Sequence, residues 1–455
     1  MDDFSSMITS QRAFFAEQHT KPYPFRSAQL KALLDWVTAH EEEVLQALQE
    51  DLGKHPWEAY LSELYMVKHE LRYVLAHLKA WMRPRRPFPS LGQLPGCCRV
   101  VPQPYGVALV MSPWNYPFQL SLLPLIGAMA AGNCVVLKPS AYAPATSALL
   151  ARMVKSLYPP EYIHIVEGGR TEISALLDEA FDFIFFTGST AVGKLVMEKA
   201  ARHLTPISLE LGGKSPAIVD ETADIPLAAK RIAWGKFLNC GQTCVAPDYV
   251  LVHQNREQPL LEALIESIRM LYGSAPLVGS DLGKIINQKH FDRLVGMLGD
   301  GSISHGGQID RAALRISPTL LTDVSWDAPI MREEIFGPLL PIMTYRKLDE
   351  AITRVNSFPK PLALYLFSQS KEARRRVLSE IPFGGGCVND TIVHMASSRM
   401  PFGGVGESGM GGYHGKASFQ TFSHDQSVFI RAGKADIPLR YAPYGDKLRR
   451  FRKLL

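Results

Sequence analysis

Phe181-Asp182-Phe183-Ile184-Phe185-Phe186-Thr187-Gly188-Ser189-Thr190-Ala191-Val192-Gly193-Lys194 runs from apolar residues into small ones and then into a helical pattern. Phe181 to Phe186 reads as a buried strand and Gly193 to His203 as a helix. Small residues at such a junction let the backbone N–H groups of the helix start face an anion. The spacing Gly188, four residues, Gly193-Lys194 nearly matches a P-loop, but Leu195 stands where Ser or Thr must hold magnesium. An NTPase reading therefore fails at its metal ligand. The fingerprint G-x-G-x-x-G fails at Thr190. What remains is a phosphate beside a strand-to-helix turn.

Outward from this junction the periods alternate. Gly106 to Met111, Cys134 to Leu137 and Ile163 to Val166 read as strands. Leu120 to Ala131, Pro144 to Leu157 and Glu172 to Asp178 read as helices between them. This is the pattern of βαβ units, an α/β fold with a parallel sheet, whose ligands sit at the carboxyl ends of strands. After Gly213 the alternation restarts. Ser215 to Val219 and Asp248 to Val252 are strands, and Ala223 to Phe237 and Gln258 to Leu271 helices. Residues 1 to about 82 read as helices, and 98 to 111 as two strands with a proline-marked break.

The chain has 455 residues, 46% of them hydrophobic, and a net charge of +5, which suits an anionic small molecule and does not argue for nucleic acid. Its six cysteines are sparse for a disulfide scaffold, and the lone C-x3-C of Cys240 and Cys244 lacks partners for zinc. Met1 to Ser6 has no basic or apolar leader, so a cytoplasmic protein is expected. The run Leu120 to Leu137 is broken by Pro124, Gly127, Gly132 and Asn133, and fits a helix followed by a strand better than a membrane span. The tail, Lys447 to Leu455, is basic and amphipathic, and reads as a solvated helix end.

Several stretches carry chemistry. Asn239-Cys240-Gly241-Gln242-Thr243-Cys244-Val245-Ala246-Pro247 sets two thiols among small and polar residues. Cys244 there is either a nucleophile or a buried structural cysteine. Asn115 is held between Pro113 and Pro117, so its amide is either a fixed donor to an oxyanion or a turn residue. Lys138, closing a buried strand, faces a ligand or an acid, or reaches solvent. Glu210 lies among apolar residues and glycines. It is a base with a raised pKa, or one half of a buried ion pair, with Lys214 as the partner. Glu333-Glu334-Ile335-Phe336-Gly337-Pro338 and Pro401 to Gly409 read as close-packed loops.

In order, Pro113-Trp114-Asn115, Lys138-Pro139-Ser140, Phe186-Thr187-Gly188-Ser189, Glu210-Leu211-Gly212-Gly213-Lys214, Gly241-Gln242-Thr243-Cys244, Glu334-Ile335-Phe336-Gly337-Pro338 and Pro401-Phe402-Gly403-Gly404 resemble the NAD(P)-dependent aldehyde dehydrogenase superfamily. The early Trp-Asn loop and Cys244-Val245-Ala246-Pro247-Asp248-Tyr249 resemble its class 3 branch. The resemblance implies that Cys244 attacks an aldehyde, that Asn115 and the Cys244 N–H bind the oxyanion, and that Glu210 activates water against a thioester. It also implies a cofactor site. Lys138 and Ser140 lie at the adenosine ribose, Gly188, Ser189 and Gly193 at the pyrophosphate, and Glu334 and Phe336, with Trp114 and Leu211, at the nicotinamide side. Cys240 would be a neighbour able to form a reversible disulfide or a plain wall of the pocket, and the plain wall is favoured.

Many relatives follow Lys-Pro-(Ser/Ala) with Glu, which holds a ribose hydroxyl; this chain has Ala141, so NADP is expected to be accepted as well as NAD. The resemblance further implies an aldehyde dehydrogenase-like fold: a Rossmann-type cofactor domain (1–82 and 104–211), a catalytic domain (212–415), a bridging β arm (83–103 and 418–434) and a tail (435–455). The arm would join a homodimer through Phe419, Phe422, Val428, Phe429 and Ile430. Some class 3 members carry a C-terminal anchor; the charged tail here implies none. Tyr65, Trp114, Tyr116, Trp234 and His394 are expected to line a pocket for a medium-chain or aromatic aldehyde. Transfer of the thioester to phosphate or coenzyme A is the main rival, and Glu210 argues against it. A non-catalytic protein on this fold is opposed by Cys244, Asn115 and Glu210 together.

Overall fold

A computed structural model describes residues 4–431, 433 and 436–452. Two sheets form its centre. The first has six strands, in the order Gly409–Met410, Ile207–Glu210, Phe183–Thr187, Val107–Met111, Cys134–Lys138, Ile163–Ile165. All are parallel except the short edge strand Gly409–Met410. The inner strands are buried on both faces, which is why they read as continuous apolar runs. The second sheet has seven strands, Gly385–Val388, Ala363–Phe367, Pro216–Val219, Tyr249–His253, Leu339–Tyr345, Thr319–Thr322 and Ser302–His305, and only the last runs antiparallel.

The crossover helices follow the expected pattern with shifted ends. Gln119–Ala131 is buried throughout and leads into Cys134–Lys138, so the apolar run beginning at Leu120 is a core helix and a strand. No helix among the described residues is long and apolar enough to cross a membrane. The helix expected from Gly193 begins at Thr190, because the backbone is still extended at Ser189 and turns helical only after it. Residues 4–81 form helices that pack Leu30, Leu33, Val37, Leu48, Leu71, Val74 and Leu78 into the core.

Strand Gly96–Pro104 pairs antiparallel with Ser423–Arg431 as a separate two-stranded sheet. Val428, Phe429 and Ile430 are each about 40% exposed on it. Phe419 and Phe422, expected on the same open strand, are instead buried. The chain is helical over Lys416–Thr421, which turns both rings inward, and Phe422 packs 5.1 Å from Phe183 and 5.6 Å from Phe185. Residues 432 and 434 of the expected arm, and 435 and 453–455 of the tail, lie outside the described residues. Lys447–Phe451 of the tail is a short exposed helix.

Candidate active site

Strand register brings the first group of side chains together. Met111 pairs with Lys138 and with Phe186, and Thr187 pairs with Glu210. The loops after Met111, Lys138 and Thr187 therefore leave the sheet at one end, beside Glu210 itself. Backbone from Glu210 crosses through Gly212 and Gly213 to the second sheet. There Cys244 precedes strand Tyr249–His253.

The cysteine loop is a strained turn held by side chains. Asn239 and Cys240 both have φ near +54°, a region that non-glycine residues avoid at a cost of about 1–2 kcal/mol each. Asn239 Nδ2 donates to Asn115 O at 2.8 Å and to Gln242 O at 3.1 Å, and its N–H donates to Glu58 Oε1 at 2.9 Å. Gln242 Nε2 donates to Asn239 O and Lys284 O, and its Oε1 accepts from Ile286 N. Gly241 must be glycine: its φ is +72°, and a Cβ would meet Gly337 O at 2.2 Å. The Glu334–Pro338 stretch thus packs directly against the cysteine turn.

Asn115 is buried, and its Nδ2 donates to Gln242 O at 3.1 Å, leaving its second N–H for another acceptor. Behind it lies a charge pair that the sequence reading does not single out. Lys54 Nζ donates to Asn115 O at 3.0 Å and is ion-paired with Glu63, both side chains being wholly excluded from solvent. Glu63 also accepts from Phe118 N at 2.9 Å and Gln119 N at 3.2 Å.

Burial pushes the Cys244 thiol up to about 12, with the nearby charges of Glu334 and Glu210 adding to it; the N–H groups of Cys244 and Val245 oppose the rise. Burial also pushes Glu210 well above the usual carboxylate range, and neither of its oxygens has a hydrogen-bond partner. The ion pair with Lys214 does not form. Lys214 pairs with Asp248 and donates to Ile330 O and Glu333 O. Glu334 is raised to about 8, first by burial and then by Asp248, against an N–H from Gly213. Lys236, another side chain missed in the sequence, is fully buried with an unpartnered Nζ, and burial lowers it to about 8. All six cysteines are free thiols, Cys240 among them. Cys240 is buried beside Gly283.

The second group fits a dinucleotide. Helix Thr190–Ala201 opens with no side-chain cap and no acid in its first turn, so its N–H groups are available to an anion. Glycines keep the approach clear: a Cβ on Gly188 would meet the Phe186 ring at 2.5 Å, and one on Gly193 would meet Leu211 at 2.7 Å. A Cβ on Gly212 would lie 2.0 Å from Glu334 Oε2. Lys138 is buried, donates to Pro139 O and Gly168 O, and is lowered to about 8 by burial. Ser140 Oγ accepts from Tyr142 N at 3.3 Å, and Ala141 beside it is exposed. Trp114 and Phe336 meet edge to face at 5.3 Å. Lys194, the lysine of the near P-loop, turns away to an exposed pair with Glu407.

A cavity of about 380 Å³ opens beside the cysteine loop. Its wall is mostly apolar and includes Trp57, Leu61, Tyr65, Tyr116, Trp234 and Thr243, the neighbour of Cys244. Tyr65, Tyr116 and Trp234 were expected there. Trp114 does not line it, since it packs on His290 and Phe336. Nor does His394: the turn Val393–Ala396 sends Val393 and Met395 to the cavity and His394 back to Cys387, 3.5 Å away. No group of metal-ligating side chains occurs among the described residues.

Comparison with known proteins shows the family. The model of the aldehyde dehydrogenase family matches residues 1–428. A 4,4'-diaponeurosporen-aldehyde dehydrogenase of Staphylococcus aureus is 45% identical over 99% of this chain and 98% of its own. Aldehyde dehydrogenase family 3 member B1 of Mus musculus is 46% identical over 98% and 96%. Among solved structures, a substrate-bound Staphylococcus aureus AldH superposes with a TM-score of 0.98 at 43% identity, covering 100% of both chains. An NAD-dependent aldehyde dehydrogenase from Sinorhizobium meliloti gives 0.88 at 28% identity, over 96% and 88%. An E. coli NADP-dependent enzyme gives 0.87 at 25% identity, over 94% and 90%. The chain belongs to the aldehyde dehydrogenase family and is an enzyme of that family.

Proposed function

We propose that this aldehyde dehydrogenase oxidises an apolar aldehyde, medium-chain aliphatic or aromatic, to its carboxylic acid, with Cys244 as nucleophile, Asn115 as oxyanion donor and Glu210 as base. The observation that supports it is that Asn115 and Glu210 lie at one end of the first sheet and Asn115 bonds the loop that carries Cys244, beside a mostly apolar cavity. Cys244 gives up its S–H proton to solvent and adds as the thiolate to the carbonyl carbon, the C=O π pair moving onto the oxygen. The developing oxyanion takes the spare N–H of Asn115 and the backbone N–H of Cys244. The dinucleotide, when bound, supplies the hydride acceptor that leaves an acyl thioester on Cys244. Glu210 then takes a proton from the water that attacks the thioester, and its lack of any competing partner suits it to that work. Lys138, Ser140 and the Ser189 helix start would hold the adenosine and pyrophosphate, and Glu334, Phe336 and Trp114 the nicotinamide side. NAD and NADP are both accepted in this reading, because Ala141 presents no charge to a 2′-phosphate.

The domain limits, a cytoplasmic setting and a homodimer joined through the exposed Val428-Phe429-Ile430 edge belong to the same proposal. The test follows absorbance of the reduced nicotinamide with an aliphatic and an aromatic aldehyde and either dinucleotide. Cys244→Ser should abolish reduction. Glu210→Gln should retain a single burst, about one equivalent per site, and lose steady turnover by about 10²–10⁴-fold. Full turnover in Cys244→Ser would overturn the mechanism.

A further inference from the structure

Gln119 is the first residue of helix Gln119–Ala131 and lines the cavity. It is 0% exposed, and neither its Nε2 nor its Oε1 has a hydrogen-bond partner. An amide buried in this way costs about 1–3 kcal/mol unless something satisfies it. Several other polar lining groups are engaged. Tyr116 OH and Thr243 Oγ1 bond each other at 2.6 Å, Ser62 Oγ donates to Glu58 O, His55 Nδ1 accepts from Trp57 N, and Glu58 Oε1 accepts from Asn239 N. Gln119 alone among the described lining residues keeps two buried polar atoms unpaired. Its backbone is fixed, since Gln119 N and Phe118 N both donate to Glu63, itself ion-paired with Lys54. The amide therefore stands on a rigid support.

We infer that Gln119 is a specificity-determining residue that selects aldehydes carrying a hydroxyl group on an otherwise apolar body. A hydroxyl is the smallest group that both accepts from Nε2–H and donates to Oε1, so one group satisfies both ends of the amide. A carboxylate tail is disfavoured, because it cannot donate to Oε1 and because Glu58 and Asp281 line the same cavity. The surrounding wall of Leu61, Met66, Trp234 and Leu271 covers the rest of the substrate. This deepens the proposed function and rests on it only for the identity of the aldehyde end.

Binding tests it independently of turnover. The probes are unreactive alcohol pairs matched in shape: the meta- and para-benzenedimethanols against the ethylbenzyl alcohols, and linear diols against alkanols of equal chain length. Affinities are measured by calorimetry on the full chain. At one substitution position the hydroxylated member should bind about tenfold more tightly to the wild type, the effect of one satisfied buried amide. In Gln119→Leu that ratio should fall to one or below. Gln119→Met replaces it if the leucine variant does not fold. A ratio of one at every position in the wild type, or an unchanged ratio in the variants, overturns the inference. Turnover with plain aldehydes reports separately on the reaction, so its absence would sink that reading and leave the binding ratio to judge Gln119.

Discussion

Glu63→Gln should be among the most damaging conservative changes in this protein, although Glu63 touches neither substrate nor cofactor. It preserves shape and can still accept from Phe118 N and Gln119 N. It strands Lys54, which is left with Asn115 O at 3.0 Å and the Tyr116 ring at 4.0 Å. Breaking a buried pair by neutralising one partner costs roughly 3–5 kcal/mol, because the survivor's charge stays desolvated. Lys54→Met should cost less, about 3 kcal/mol at the low end of that range. Glu63 keeps two backbone donors and can take a proton, a direction in which burial already pushes it. The double variant Lys54→Met with Glu63→Gln leaves no buried charge and should be more stable than Glu63→Gln alone. Urea unfolding followed by tryptophan fluorescence measures all three, and aldehyde turnover measures the loop. Asn115 O keeps its bond from Asn239 but loses the lysine, so turnover should fall about tenfold in both Lys54 variants, a loss of about 1.4 kcal/mol. Single-variant losses below about 1 kcal/mol, or a double loss equal to the sum of the singles, would refute the reasoning.

Glu334→Gln removes the largest charge effect holding the Cys244 thiol up. Because Glu334 ionises at about 8, alkylation at Cys244, read by peptide mass spectrometry, should quicken above that pH and stay unchanged below about 7. Ala141→Glu should lower kcat/KM for NADP by at least about tenfold and spare NAD. A wild-type efficiency with NADP about a hundredfold below that with NAD, roughly 2.7 kcal/mol, would sink the Ala141 argument. Burial holds His414 down at about 3, against about 6.5 in an unfolded chain. Between those values the unfolded chain binds the proton first, so stability is lost as pH falls below about 6.5. His414→Leu should flatten the fall of Tm between about pH 6.5 and 4.5, and an unchanged slope would exclude this histidine as its source.

The parallel sheet was legible because its inner strands are buried on both faces and its helices separate them at regular intervals. Cys244, Asn115 and Glu210 were legible as candidates only through the order of seven motifs, since the neighbours of each alone left a structural reading open. What supports them was not. Lys54 and Glu63 lie nine residues apart around a π turn, and they meet Asn115 only through the tertiary fold. Glu58 reaches Asn239 across 181 positions. Lys214, a neighbour in sequence, was the alternative partner for Glu210, yet strand direction carries it to Asp248. Phe419 and Phe422 looked like one strand with Val428 and Ile430. Apolar spacing alone does not show where a helix yields to a strand. Gln119 gave no signal, since an unpaired amide is defined only by what surrounds it.

The first sheet ends on Gly409–Met410, and the chain then turns back through Phe422 to cover strands laid down more than two hundred residues earlier. Asn133 Nδ2 donates to Phe422 O at 2.9 Å, Gly415 N donates to Glu70 Oε1 at 2.6 Å, and a Cβ on Gly127 would collide with Ser418 at 2.7 Å. During synthesis the amino-terminal half therefore waits, with an open sheet edge and bare aromatic surface, until nearly the whole polypeptide has left the ribosome. Loop closure over that length is slow, and the waiting state is the one prone to self-association. Truncation shortly before residue 409 would leave Cys244, Asn115 and Glu210 encoded and the first sheet unfinished.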